Sequence, residues 1–283
     1  MINLSEEAYK PLYYNLKSSL AFCSSIRDRE GEPTTFHVFW NPSNIPIGRR
    51  HLLMLKSIIA TQTKNSKIIF WSNVNLQDTP ILAPVLPFIE FKILNLLEEF
   101  NKVPIEYIMK YDYVSNFYAG SDFIRYVLLY NYGGVWIYAD IILLRNLTPF
   151  LDQEFAYKWS IIDGINSAVL HLNKGGKTAL SLIKGVFETP AVHIASWSTD
   201  VLSNIYKRDK SFTVFPCTFF DPSWLNEENQ FFTANTLFND ELYKGAFSVH
   251  LHNNWTTTIE SGCRFEKYEQ LIEEKFNEVI SHD

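Results

Sequence analysis

The sequence is poor in the features that define several large protein classes. It holds three cysteines, Cys23, Cys217 and Cys263. They are far apart, odd in number and without metal-ligand spacing, which excludes a disulfide framework or a zinc ribbon and predicts reduced, packed thiols in a cytoplasmic setting. Glycine and proline together number 23 of 283 residues, too few for a collagen-like or linker-rich chain. Apolar runs are broken by charge or proline before the roughly 18 residues a membrane span needs. The start, MINLSEEAYKPLYY, lacks the basic and then apolar pattern of a secretory signal. Neither export nor a transmembrane segment is expected, and peripheral membrane contact is left open. Positive charge is not in excess either: 25 basic against 31 acidic residues give −6, so the general attraction to a phosphate backbone is missing and nucleic acid is not an expected partner. No G-x-G-x-x-G follows the first strand candidate, and no G-x-x-x-x-G-K-[ST] occurs anywhere, so the common dinucleotide and triphosphate loops are absent.

What is present is apolar and aromatic. Hydrophobic residues make up 47% and charged ones 20%, the balance of a folded chain with a large core. The 44 aromatic residues (22 Phe, 15 Tyr, 7 Trp) are enough to line a cleft as well. Thr34 to Trp40 is a β-branched and aromatic run stopped by Asn41-Pro42, and Lys67 to Trp71 is a second such run. Between them, His51 to Ala60 carries apolar residues at helical spacing. Strand, helix, strand in that order predicts a parallel, three-layer α/β sheet. A helix is expected over Glu90 to Phe100, further strands around 160–172, 211–220 and 247–252, and a closing amphipathic helix from Phe265 to Ile280. No break in composition separates a second domain.

The most informative stretch is AGSDFIRYVLLYNYGGVWIYADIILLRNL, residues 119–147. Ser121 is a suitable cap for a helix whose Phe123, Val127 and Tyr130 form one stripe, and Gly133-Gly134 is a suitable stop. Val135 to Leu144 then reads as one strand, apolar on both faces as central strands are, with Asp140 its single charge. Asp122 and Arg125, three apart, share a helix face where they can pair with each other or meet a ligand. A carboxylate inside an apolar strand must be paired, hydrogen-bonded or metal-bound. Arg125 or Arg145 could satisfy Asp140 structurally, and a cation could do so functionally.

Ser121-Asp122-x-x-Arg125, then Leu129-Tyr130-x-x-Gly133-Gly134, then a strand carrying aspartate and the ending Arg145-Asn146-Leu147, resembles the sugar-binding region of glycosyltransferase family 32 and its α1,4-galactosyltransferase-like relatives. In that register Asp140 is the second aspartate of the DXD motif, and Tyr138 stands where the first would be. Phe36-His37-Val38-Phe39-Trp40 resembles the family's opening I-H-x-I-W strand. Ile165-Asn166-Ser167-Ala168 resembles its I-N-x-A segment, and Ser248 to Asn253 its late A-V-H-x-W-N element.

The resemblance implies a GT-A-type, Rossmann-like mixed sheet flanked by helices in a single domain over residues 1–283, with a nucleotide-binding half at about 30–147 and an acceptor half at about 148–283. It implies a retaining, metal-assisted transfer of a hexose from a nucleotide sugar, UDP-sugar by preference, to a carbohydrate or other hydroxyl acceptor. A divalent ion, Mn²⁺ or Mg²⁺, would be held by Asp140 and His250, with His252 as the substitute. Asp122 and Arg125 would orient the donor sugar. Trp40, His37, Tyr138, Asn166 and Gly134 would line the donor site, Trp40 against the base. Because Tyr138 cannot supply an anionic ligand, a catalytically inactive member that binds nucleotide, glycan or a partner protein is the alternative.

Overall fold

A computed structural model describes residues 10–43, 45–107, 119–160, 164–190, 196–225, 230–234 and 243–281. The elements in chain order are α1 (Leu16–Ser25), β1 (Thr35–Trp40), α2 (Arg49–Thr61), β2 (Lys67–Ser72), β3 (Ile89–Ile93), α3 (Leu96–Phe100), α4 (Ala119–Tyr132), β4 (Gly134–Ile137) and β5 (Ile141–Leu143). They continue with β6 (Phe155–Lys158), β7 (Ile165–Leu172), α5 (Lys177–Glu188), α6 (Val201–Asp209), β8 (Thr213–Phe215), α7 (Cys217–Phe220), β9 (Ser248–His250) and α8 (Arg264–Ser281).

Seven strands form one mixed sheet in the order β3-β2-β1-β4-β7-β6-β8. Strands β3, β2, β1 and β4 run parallel, and β7 is antiparallel to both β4 and β6. The parallel half puts the carboxyl ends of β1, β2 and β4 along one edge, the edge where open α/β sheets take ligands. The expected α/β class and mixed sheet are therefore present. Helix α2 packs on α8, with Lys56 held by Glu273 at 2.5 Å and Arg49 by Glu269 through Nε at 2.6 Å. The Leu143 amide donates to Ser57 Oγ at 2.9 Å and ties β5 to α2.

Two glycines start β4 for reasons of backbone geometry. Gly133 and Gly134 have φ of 69° and 97°, values that only glycine adopts without strain. A Cβ on Gly134 would lie 2.2 Å from the Thr35 carbonyl oxygen, so glycine here permits β1 and β4 to approach.

Several expectations need correcting. Val135 to Leu144 is two strands, not one. The Tyr138 amide donates to Ala168 O at 2.8 Å, and the Ile141 amide then donates to Tyr138 O at 3.0 Å, closing a turn over Tyr138, Ala139 and Asp140. Beyond it the chain leaves the large sheet, and β5 pairs with β9 in a separate two-stranded ladder. Burial on both sides of the turn hides it from any periodicity. Glu90 to Phe100 is not one helix: Ile89-Glu90-Phe91-Lys92-Ile93 alternates as an edge strand, and only Leu96–Phe100 is helical, capped by Asn95, whose side chain accepts from the Glu98 amide at 3.2 Å. Ser121 lies in the first turn of α4 rather than at its cap. The three cysteines are free and buried. Among the described residues no helix is long and apolar enough to cross a membrane.

Candidate active site

The turn between β4 and β5 and the turn after β9 meet, because Ile141 pairs with His250 across the small ladder. Asp140 stands at this junction, 1% exposed. Its Oδ2 accepts the Asn253 amide at 2.6 Å, and its backbone oxygen accepts the Leu251 amide at 2.9 Å. His252 and Asn253 make the turn with φ of 48° and 58°, a left-handed pair of non-glycine residues of the kind that persists where surrounding contacts enforce it. Asp140 Oδ1 is buried without a hydrogen bond, and so is His250 Nε2. The two atoms face each other 3.2 Å apart as a buried ion pair.

Neither arginine expected to satisfy Asp140 does so. Arg145 binds Asp28 at 2.8 Å and the Gly245 carbonyl at 2.7 Å. Arg125 is engaged on α4.

Behind His250 lies Asp221, which no sequence motif had singled out. It is fully buried at the end of α7. His250 Nδ1 lies 3.1 Å from its Oδ2, His252 Nε2 lies 2.9 Å from both carboxylate oxygens, and the Ser223 hydroxyl donates to Oδ1 at 2.8 Å. Asp221 was discoverable by the rule that singled out Asp140, since it is the one charge in the run Phe219-Phe220-Asp221-Pro222. Asp221, His250 and His252 offer atoms within 4.8 Å of one another that could hold a metal ion. Burial opposes charge on all these groups, but their mutual attraction outweighs it. It holds Asp140 and Asp221 below the usual carboxylate range and raises His250 to about 10.

Asp122 and Arg125 form the second charged cluster. They are 5% and 3% exposed and paired at 2.6 Å. Arg125 also donates from Nε to Ser121 O at 3.3 Å and from Nη1 to Ser167 O at 2.9 Å and to the Ser167 hydroxyl. Its guanidinium lies 5.4 Å from the Trp136 ring centre and 5.2 Å from that of Tyr138. Asp122 additionally hydrogen-bonds Ser198, while burial pushes its carboxyl up to about 6 against the pull of Arg125. Tyr138 bridges the two clusters. It is hydrogen-bonded to Ser121, burial raises its hydroxyl pKa, and its ring centre is 6.4 Å from that of His250.

The remaining candidates are dispersed. Trp40 does not overhang the sheet edge. It is 3% exposed, donates to Ile45 O at 3.0 Å and is wedged against His51 and Trp255, with ring centres 4.2 and 4.5 Å away. His37 is a buried core histidine in the interior of β1. Its Nδ1 accepts from Trp71 Nε1 at 3.1 Å, its Nε2 lies 3.0 Å from Gly133 O, and burial lowers it to about 4. Gly134 begins β4 and so sits at the amino edge, four residues and roughly 13 Å along the strand from Tyr138. Asn166, half-buried in β7, caps its own strand locally by accepting the Ala168 amide at 2.8 Å. His37 and Gly134 thus serve the sheet, while Asp140, Tyr138, His250 and the Asp122–Arg125 pair converge on one end of it.

The parallel half of the sheet holds a buried carboxylate at its carboxyl edge, met there by a buried histidine, in a mixed α/β fold similar to that of solved glycosyltransferases. Residues 48–156 match the family described as glycosyltransferase sugar-binding region containing DXD motif. That segment contains α4, the Asp122–Arg125 pair and Asp140. Among solved structures, the glycosyltransferase GlyE of Streptococcus pneumoniae TIGR4 superposes with a TM-score of 0.54 at 13% identity, covering 89% of this chain and 64% of that one. An active-site variant of LgtC gives 0.46 at 16% identity over 85% of this chain and 95% of that one. The PaToxG glycosyltransferase gives 0.47 at 11% over 73% and 79%. No curated protein matches the chain. The glycosyltransferase resemblance of the sequence is thus supported by an independent match to the same region.

Proposed function

We propose that the protein is a retaining hexosyltransferase that moves a sugar from a nucleotide donor, UDP-sugar by preference, to a carbohydrate or other hydroxyl acceptor in glycan biosynthesis. The observation that carries this reading is the buried pair Asp140 Oδ1 and His250 Nε2, whose only partner is each other at 3.2 Å, at the carboxyl edge of a glycosyltransferase-like sheet. Carboxylate oxygen and imidazole nitrogen together suit a divalent ion, Mn²⁺ somewhat better than Mg²⁺. Such an ion would be held by Asp140 and His250, and when bound it would stabilise the negative charge that develops on a departing diphosphate.

The chain's own residues supply position. The Asn253 amide fixes one oxygen of Asp140 and leaves the other directed at the site. The Asp122–Arg125 pair forms a rigid wall toward which the donor sugar is turned, with Tyr138 between sugar and metal. Buried free thiols support a reducing, cytoplasmic setting. The continuous sheet supports a single domain whose first half, about 30–147, takes the nucleotide and whose second, about 148–283, takes the acceptor.

A second reading, a catalytically inactive binding protein, is favoured by one observation, Tyr138 at the first position of the DXD motif. Turnover of a panel of nucleotide sugars, with and without Mn²⁺, separates the two. Metal-dependent hydrolysis or transfer of one donor supports the enzyme. Tight nucleotide binding with no turnover of any donor supports the inactive protein.

A further inference from the structure

The metal reading assigns no role to Asp221, a carboxylate with no exposure to water. Buried carboxylates are costly unless fully engaged, and this one is engaged by two imidazoles and a hydroxyl. His250 Nδ1 is 3.1 Å from Oδ2, His252 Nε2 is 2.9 Å from each oxygen, and Ser223 donates to Oδ1 at 2.8 Å. The Ser223 hydroxyl also lies 3.3 Å from the His250 carbonyl oxygen, and its single proton goes to the nearer acceptor, the Asp221 carboxylate. A carboxylate on Nδ1 draws a proton to that nitrogen and commits Nε2 to whatever lies on the other side of the ring. On that other side is Asp140 Oδ1, at 3.2 Å.

We propose that Asp221 is a positioning residue. By accepting the Nδ1–H of His250 it fixes the ring so that Nε2 and Asp140 Oδ1 face one cation, while His252 and Ser223 anchor Asp221 rather than bind the ion themselves. The inference rests on the metal reading and goes beyond it by naming what aims the nitrogen ligand. Two features distinguish it from the rival in which Asp221, His250 and His252 hold the metal directly. The rival would use His250 Nδ1 and turn its Nε2–H onto Asp140 Oδ1 at 3.2 Å, leaving Asp140 no place around the ion. It would also require the ion to displace three contacts already made at hydrogen-bonding distance.

The test is Mn²⁺ binding to the full chain, measured by electron paramagnetic resonance, with melting curves for every variant. Carboxylates that orient a ligating histidine typically contribute ten- to a hundredfold to metal affinity, and Asp221→Asn is expected to weaken Mn²⁺ by about that factor. Pulsed spectra of the wild-type complex are expected to show nitrogen coupling from one imidazole, and His252→Gln, which keeps a donor toward Asp221, is expected to weaken Mn²⁺ by no more than several-fold. Coupling from two imidazoles, or loss of binding in His252→Gln comparable to that in Asp140→Asn, would overturn the proposal in favour of the direct site. Unchanged affinity in a folded Asp221→Asn would overturn it outright while leaving the metal reading intact. If Asp221→Asn does not fold, Ser223→Ala removes only the anchoring hydroxyl. A several-fold weakening there supports the proposal, and none at all counts against it. Failure of the wild-type protein to bind Mn²⁺, with UDP or without, overturns the metal reading first and this inference with it.

Discussion

The pair Asp122–Arg125 on α4 and the group Asp140, Asp221, His250 and His252 around the β4–β5 turn are both shielded from water, yet their polar atoms differ in how they are satisfied. Arg125 uses Nε and both terminal nitrogens on Ser121, Ser167 and Asp122, and two aromatic rings enclose it. Around Asp140 the accounting is looser, since Oδ1 and His250 Nε2 have only each other, as an ion pair at 3.2 Å. Buried polar groups in proteins are nearly always bonded. A closed network suits a wall, and the looser pairing around Asp140 suits a place where a cation could enter.

That contrast can be broken most forcefully at the wall. Arg125→Ala would strand Asp122 as a buried, unpaired carboxylate, and is expected to cost about 3–5 kcal/mol of stability, read as a large fall in melting temperature. The double variant Asp122→Asn, Arg125→Met should recover part of this loss. A normally stable Arg125→Ala protein would mean that the pair is not a structural wall and would move Arg125 toward direct contact with the donor.

Asp140→Asn should behave in the opposite manner. Its fold is expected to survive, while Mn²⁺ binding is lost and donor turnover drops by roughly 10²–10³, the scale of losing one directed electrostatic contact in a transition state. Full activity in this variant would remove the metal reading.

His37 offers a third comparison, with a histidine whose two ring nitrogens are both engaged inside the sheet. Burial lowers it from 6.5 to about 4, so the unfolded chain takes up a proton before the folded one does. Its contribution to stability is complete above pH 6.5 and is lost as pH falls from there through 4, by about 3 kcal/mol in all. Melting temperature should fall across that window in the wild type and fall less in His37→Gln. Parallel curves for the two proteins would place the acid sensitivity elsewhere.

Tyr138 lies between the two clusters, and Tyr138→Asp probes their boundary. Beside Asp140 a second carboxylate repels unless a cation intervenes, so this variant should bind Mn²⁺ about tenfold more tightly, or 1.4 kcal/mol, in calorimetric titration. Equal affinities would put position 138 outside the reach of the ion. The smallest effect is expected at Trp40. Its ring is already covered by His51 and Trp255, so Trp40→Phe should leave UDP affinity within about twofold, and a tenfold loss would mean that the base reaches it after all.

Much of the site was legible in the sequence. Asp140 stood out because one charge in an apolar run needs a partner, and Asp122 and Arg125 because residues three apart on a helix share a face. Strands β1 and β2 and helices α2 and α8 were readable because their patterns are local. The break at Tyr138 to Asp140 was not, since the residues before and after it are buried alike and no periodicity marks where a strand changes sheets. Asp221 carried the same signal as Asp140, but its run matched no motif. His37 and Gly134 were read as ligand-facing from their place in a motif, whereas the register puts one in the interior of a strand and the other at the opposite edge of the sheet.

By itself, then, the sequence determined the α/β class, the parallel half of the sheet and the chemistry of the residues that could act, because side-chain type and short-range spacing are properties of the chain. Which of those residues meet was decided only by the tertiary structure. The β5–β9 ladder brings positions 140 and 250 together across more than a hundred residues, and Asp221 joins them from α7 because long-range pairing and burial, rather than spacing, settle which polar atoms are satisfied and which are left open.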